Sequence, residues 1–122
     1  MSKYIAIILL VFPGSAFADT TTYICDYPTY SNQEGNHKIE NKFVLSFVVD
    51  TENDKSYMVG NNGSAEVIKF ETGNRISFLE ITETRNLMTT TIDKDLYSVH
   101  SRNTVIRGEL IPSQYYGKCE KK

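Results

Sequence analysis

The chain is expected to fold as one small all-β domain: an antiparallel up-and-down barrel of eight or nine strands, or a compact β-sandwich, its ends tied by one disulfide. Three observations predict this. Short runs rich in β-branched and aromatic residues recur, separated by polar Gly, Asn and Asp turns. No window carries apolar residues at i, i+3, i+4 and i+7 over three turns. The cysteines number only two, Cys25 and Cys119, 94 positions apart.

The first 18 residues read as a leader rather than as part of this domain. Lys3 supplies a basic start, residues Tyr4 to Phe12 form a nine-residue apolar run, Pro13 and Gly14 break it, and Ala16-Phe17-Ala18 places small residues where signal peptidase needs them. Cleavage after Ala18 would leave Asp19 first and a single domain over 19–122. Nine apolar residues are too few to cross a bilayer core, which takes about 20. The expectation is therefore a periplasmic or secreted protein without membrane insertion once the leader is removed. In such a compartment Cys25 and Cys119 are expected to pair as a structural disulfide.

Strand by strand, Thr21 to Tyr27 (TTYICDY) is rich in Thr and aromatics, and the polar stretch Ser31 to His37 follows it. Any helix would be a short one near residues 31 to 41. Phe43 to Val49 is the most apolar run of the 104 residues after the leader, and Phe43 and Phe47 share a face. Asp50 to Asp54 reads as a turn, and a strand from Lys55 or Ser56 to Val59 leads to the turn Gly60-Asn61-Asn62-Gly63. Ala65 to Phe70 and Arg75 to Thr82 flank the turn Thr72-Gly73-Asn74. In the second of these, Ile76 and Phe78 compete with Leu79 and Ile81 for the core, which implies a bulge or two apolar faces. Leu87 to Ile92 turns at Asp93-Lys94-Asp95 into Leu96 to Ser101, where Leu96 and Ser98 share one face and Tyr97 and Val99 the other. Arg102-Asn103 is expected to separate this strand from Thr104 to Ile111, Pro112 to end that element, and Tyr115 to Cys119 to form a last short strand beside the first.

Charge and composition exclude several functions. Without its leader the chain holds 12 Lys and Arg against 15 Asp and Glu, a net charge of about −3, with no basic stripe. Nucleic acid is not an expected partner. No catalytic constellation is legible: there is no Gly-x-Ser-x-Gly, no His-Glu-x-x-His and no phosphate loop. His37 and His100 read as ordinary surface histidines, and no metal or cofactor is expected. The turn Asp50 to Asp54 lacks the ligand order of an EF-hand and reads as solvated. Glu80, Glu83 and Asp93 are the carboxylates from which a glycosidase pair would have to be drawn.

The aromatics are the more specific feature. Tyr23, Tyr27, Tyr30, Tyr115 and Tyr116 lie near the two ends, which a Cys25–Cys119 bridge would bring into one neighbourhood. Tyrosine suits contact surfaces because its ring is apolar and its tip polar. Met88-Thr89-Thr90-Thr91 puts Thr89 and Thr91 on one solvated face.

A small exported disulfide-linked barrel resembles the lipocalin-like periplasmic inhibitors of lysozyme, whose opening Tyr-x-Cys occurs here as Tyr23-Ile24-Cys25. The likeness covers those three residues and carries over no functional residue. The expected function is non-enzymatic binding of a protein or a small apolar ligand through a tyrosine-rich surface, by a monomer or weak dimer. The alternatives are an envelope-associated structural or assembly protein, an inhibitor of a lysozyme-like hydrolase, and a small hydrolase.

Overall fold

Alternation along Val44–Asp50 illustrates how the chain builds its sheet: Leu45, Phe47 and Val49 are buried, while Val44, Ser46, Val48 and Asp50 lie on the outward side. A computed structural model describes residues 19–122; the expected leader lies outside the described residues. Nine strands follow in chain order: β1 Thr20–Asn32, β2 Gly35–Lys38, β3 Val44–Asp50, β4 Lys55–Gly60, β5 Gly63–Thr72, β6 Arg75–Ile81, β7 Leu87–Asp93, β8 Tyr97–Ile106 and β9 Glu109–Lys121. Every pairing is antiparallel, and the order β2-β1-β3-β4-β5-β6-β7-β8-β9 closes through a further pairing of β1 with β9. The molecule is thus an eight-stranded closed barrel with β2 appended to β1, and not a sandwich.

The seam between β1 and β9 is pinned covalently. Cys25 stands directly opposite Cys119, and their side chains form the disulfide. Thr22 and Lys122 exchange N–H···O bonds of 2.9 and 2.8 Å, so counting along the ladder puts the cysteines at a non-hydrogen-bonded pair. Side chains approach closest at such pairs. Between Asp26 and Thr29 the register slips: Tyr27 and Pro28 together face Gly117, a β-bulge in β1. The bulge presses backbone onto Gly117, where a Cβ would lie 2.0 Å from the Asp26 carbonyl oxygen. Only glycine accommodates that approach.

The middle of the barrel is filled. Phe47 stacks on Phe78 with centroids 4.6 Å apart, and Tyr23, Tyr27, Val67, Ile76, Ile92 and the disulfide complete the core. Ile76 and Phe78 take the inward phase of β6, while Leu79 is half-buried on the outer face and Ile81 is exposed. That strand is regularly paired, apolar on both faces, and has no bulge. Thr89 and Thr91 are exposed, with Thr91 sharing a 2.8 Å hydrogen bond with Ser77. Among the described residues no helix is long and apolar enough to cross a membrane.

Three expectations need correction. No helix forms near residues 31 to 41, because the chain turns at Gln33-Glu34 and Gly35–Lys38 pairs back along β1, from Asn32↔Gly35 to Thr29↔Lys38. Arg102-Asn103 does not interrupt a strand, since β8 runs unbroken to Ile106. Pro112 does not end an element but lies inside β9, opposite Asn103. The true turn is Arg107-Gly108, with φ of +54° and +79°, the two positive values of a tight hairpin turn. Counting out from that turn makes Asn103–Pro112 a non-hydrogen-bonded pair, so the missing N–H costs β8 no bond.

Candidate functional site

One end of the barrel carries most of the unusual chemistry. There, β1 and β2 extend as a hairpin, and β8 and β9 extend beside them. The last β7–β8 pair is Leu87↔Asn103 and the last β1–β9 pair is Ser31↔Gln114, so residues 104–111 pair only with one another. Val105, Ile106, Leu110 and Ile111 on this tip are between 43% and 59% exposed. Each outer edge of the tip is held by one side chain. Asn86 Oδ1 accepts from Val105 N–H at 2.8 Å, and Gln33 Nε2 donates to Leu110 O at 3.3 Å.

Below the tip lies an aromatic cluster. Tyr30 stacks between His37, centroids 4.9 Å apart, and Tyr115, 5.3 Å apart. His37 also shares a 2.9 Å hydrogen bond with Asn32 Oδ1 through Nε2. Phe43 tilts against Tyr115 at 4.9 Å, and the Arg102 guanidinium lies over both rings, 5.1 Å from Phe43 and 4.9 Å from Tyr115.

The five tyrosines do not form one exposed patch. Tyr23 and Tyr27 are core residues. Tyr27 shares a 2.9 Å hydrogen bond with Ser98, and burial pushes its phenol up to about 12, offset in part by that bond. Tyr30 and Tyr115 meet at the barrel end. Tyr116 points outward, donating to Gln114 Oε1 and hydrogen-bonded to Ser31 Oγ, both at 3.0 Å. The contact residues available at the surface are therefore Tyr30, Tyr115 and Tyr116.

His100 is a correction of a different kind: it is 1% exposed, sealed inside the barrel. It keeps the inward phase of Ser98, two residues earlier on β8. Its Nδ1 lies 2.7 Å from Thr90 Oγ1, and Arg102 Nε–H donates to its Nε2 at 3.2 Å. Since Nε2 must accept, the ring proton sits on Nδ1 and is directed at Thr90. The imidazole is thus in the wrong tautomer to act as a base toward that hydroxyl. Burial, aided by the Arg102 charge, lowers its pKa to about 3.

Arg102 and Glu80 are the site residues that sequence reasoning does not assign to binding. Glu80 and Arg102 share an inward row across Met88, through the pairs Glu80↔Met88 and Met88↔Arg102. Both line a pocket of about 390 Å³ at this end, with Phe43, Leu45, Met58 and Met88 among its walls. Glu80 Oε1 is shielded from solvent with no hydrogen-bond partner among the described residues. The parity of β6 and β8 was signal enough for both, because each lies two residues from a buried neighbour, Phe78 or His100.

The other candidate groups remain apart. Asp93 faces Arg75 on β6, five residues from Glu80, or about 17 Å along the strand. Its Oδ1 accepts from the Asp95 and Tyr97 N–H groups in a turn. Asp50 accepts from Asn53 Nδ2 at 2.8 Å and from its N–H at 3.2 Å, bonds that lower its pKa. Among the described residues no three His, Cys, Asp or Glu side chains are grouped to hold a metal ion. No family model, curated protein or solved structure matches the chain.

Proposed function

We propose that the protein is a non-enzymatic, exported binding domain, and that it takes a protein partner at the barrel end formed by the β1–β2 hairpin and the β8–β9 tip. One observation carries this reading. Four large aliphatic side chains on both faces of a two-stranded projection are left in water, beyond the last pairing to the barrel. Apolar groups concentrated on one projection mark contact sites. Tyr30, Tyr115 and Tyr116 adjoin it, and such rings commonly anchor interfaces. A protein is favoured over an apolar ligand enclosed in the middle of the barrel because Phe47, Phe78, Tyr27 and Ile92 occupy that space.

The test is a photo-crosslinking side chain at Leu110, introduced in the cells that make the protein. A discrete heavier product is expected, absent when the probe stands at Asn53 or when Val105 and Ile111 are replaced by Thr. A product of twice the chain's mass would identify a protein that assembles with itself. Equal crosslinking from Leu110 and Asn53, or none from Leu110, would count against the reading. The narrower possibility, inhibition of a lysozyme-like hydrolase, is tested by adding the protein to a lysozyme turnover assay.

A further inference from the structure

The pocket beside the aromatic cluster holds two opposite charges that do not meet. Among the described residues, no carboxylate lies within 4.0 Å of the Arg102 guanidinium, and its one hydrogen bond uses Nε. The two terminal nitrogens are therefore uncommitted. Their plane is held by Phe43 and Tyr115, and their position by His100, so the fork is ordered before any ligand arrives. A guanidinium fork matches a carboxylate with two parallel hydrogen bonds. Across Met88, Glu80 Oε1 is shielded and lacks a donor. Leaving such an atom unsatisfied is costly, and a ligand N–H would relieve it. Between them Met58, Met88 and Leu45 supply apolar wall, and thioethers adapt their shape to an occupant.

These demands narrow the ligand. A bare anion on Arg102 would face the Glu80 carboxylate, and a bare cation on Glu80 would face Arg102. A neutral hydrocarbon would satisfy neither. We propose that this pocket binds an α-carboxylate with an adjacent N–H donor on an apolar side chain, the carboxylate held by Arg102 and the N–H by Glu80. Two sources present that chemistry: a free apolar α-amino acid and the carboxyl end of a peptide. The proposal does not depend on the β8–β9 tip or on any protein partner.

Amide NMR titration of the isolated protein tests it, with L-leucine, N-acetyl-L-leucine and isocaproate as probes. All three share the apolar body and the carboxylate, and isocaproate has no N–H. Leucine or its acetylated form is expected to saturate shifts at Glu80, Met88 and Arg102 in the millimolar range, at least about tenfold below isocaproate. Tighter leucine points to a free amino acid, and tighter N-acetyl-leucine to a peptide end. R102Q should abolish the saturation. E80Q should weaken leucine more than N-acetyl-leucine, because only leucine brings an ammonium charge. Absence of saturation at these amides with both N–H probes overturns the proposal, as does equal binding of isocaproate. The comparison of probes on the wild-type protein stands even if R102Q does not fold.

Discussion

Arg102 Nε–H donates to His100 Nε2 across 3.2 Å, and that bond fixes which nitrogen of the buried ring carries the proton, while burial, aided by the Arg102 charge, keeps the ring neutral. Adding a proton to Nε2 would set two donors, and two positive charges, against each other inside the barrel. With a folded pKa of about 3 against 6.5 in the unfolded chain, His100 is protonated first in the unfolded state. Its contribution is complete above about pH 6.5 and is lost as pH falls toward about 3. Urea unfolding should therefore show stability falling over this window, by on the order of a few kcal/mol from this residue alone. Asp50, whose pKa is lowered, acts in the same direction at the acid end, so the difference between wild type and H100Q isolates the histidine. The variant should be less stable at pH 7, and its stability should depend less on pH. An equal pH dependence in the two proteins would contradict the lowered pKa of the buried ring.

The disulfide joins two fully buried sulfur-bearing residues, Cys25 and Cys119. Alkylating reagents should find no thiol in the native protein, and the mass should lie two hydrogens below that of the reduced chain. Replacing both cysteines by Ser should cost about 3 to 5 kcal/mol in urea unfolding, given the 94-residue separation. Labelling of either cysteine without prior reduction would contradict the bridge.

Phe47 and Phe43 point to the same side yet differ in depth. Phe47 is stacked on Phe78 at the centre, whereas Phe43 is half-buried at the barrel end. Phe47→Ala should cost about 3 to 5 kcal/mol, the range for emptying a packed aromatic site. Phe43→Ala should cost clearly less, and it should also release one of the two rings that hold Arg102. Comparable losses at both positions would show that the barrel end is packed as tightly as its middle.

Gly117 faces the Tyr27–Pro28 bulge, and Gly117→Ala sets a methyl group against the Asp26 carbonyl. Neither partner is a flexible side chain, so the seam must shift. The variant should lose several kcal/mol, near the upper range for single substitutions. Gly73→Ala, in a turn with nothing within 4 Å of the added carbon, should be close to neutral. Similar stabilities for the two variants would mean that the bulge is not closely packed.

The barrel is legible in the sequence where burial imposes alternation. Leu45, Phe47 and Val49 spell out an inward face, and the turns at Gly60–Gly63 and Gly73–Asn74 fall where Gly and Asn place them. Legibility ends where strands leave the core. Gly35–Lys38 pairs along one edge only and needs no apolar face, so it looks like a loop. Arg102-Asn103 looks like a break because the strand passes the barrel rim there, and an inward position at the rim holds a charge instead of a hydrocarbon. The tyrosines divide for the same reason: proximity to the bridge locates Tyr23 and Tyr27 near one another in the chain, but strand parity sends both inside. His100 shows that composition misleads where parity does not.

The seam has a further meaning in time. As the chain is synthesised, seven of the eight barrel strands emerge before β9, and until then β1 has one edge without its neighbour and Cys25 has no sulfur to join. A growing chain is thus an open ribbon whose two unfinished borders invite pairing with other ribbons. Release from that exposed state depends on the arrival of a single late strand, so whatever slows or removes β9 converts a self-sealing molecule into one that seeks closure with its neighbours.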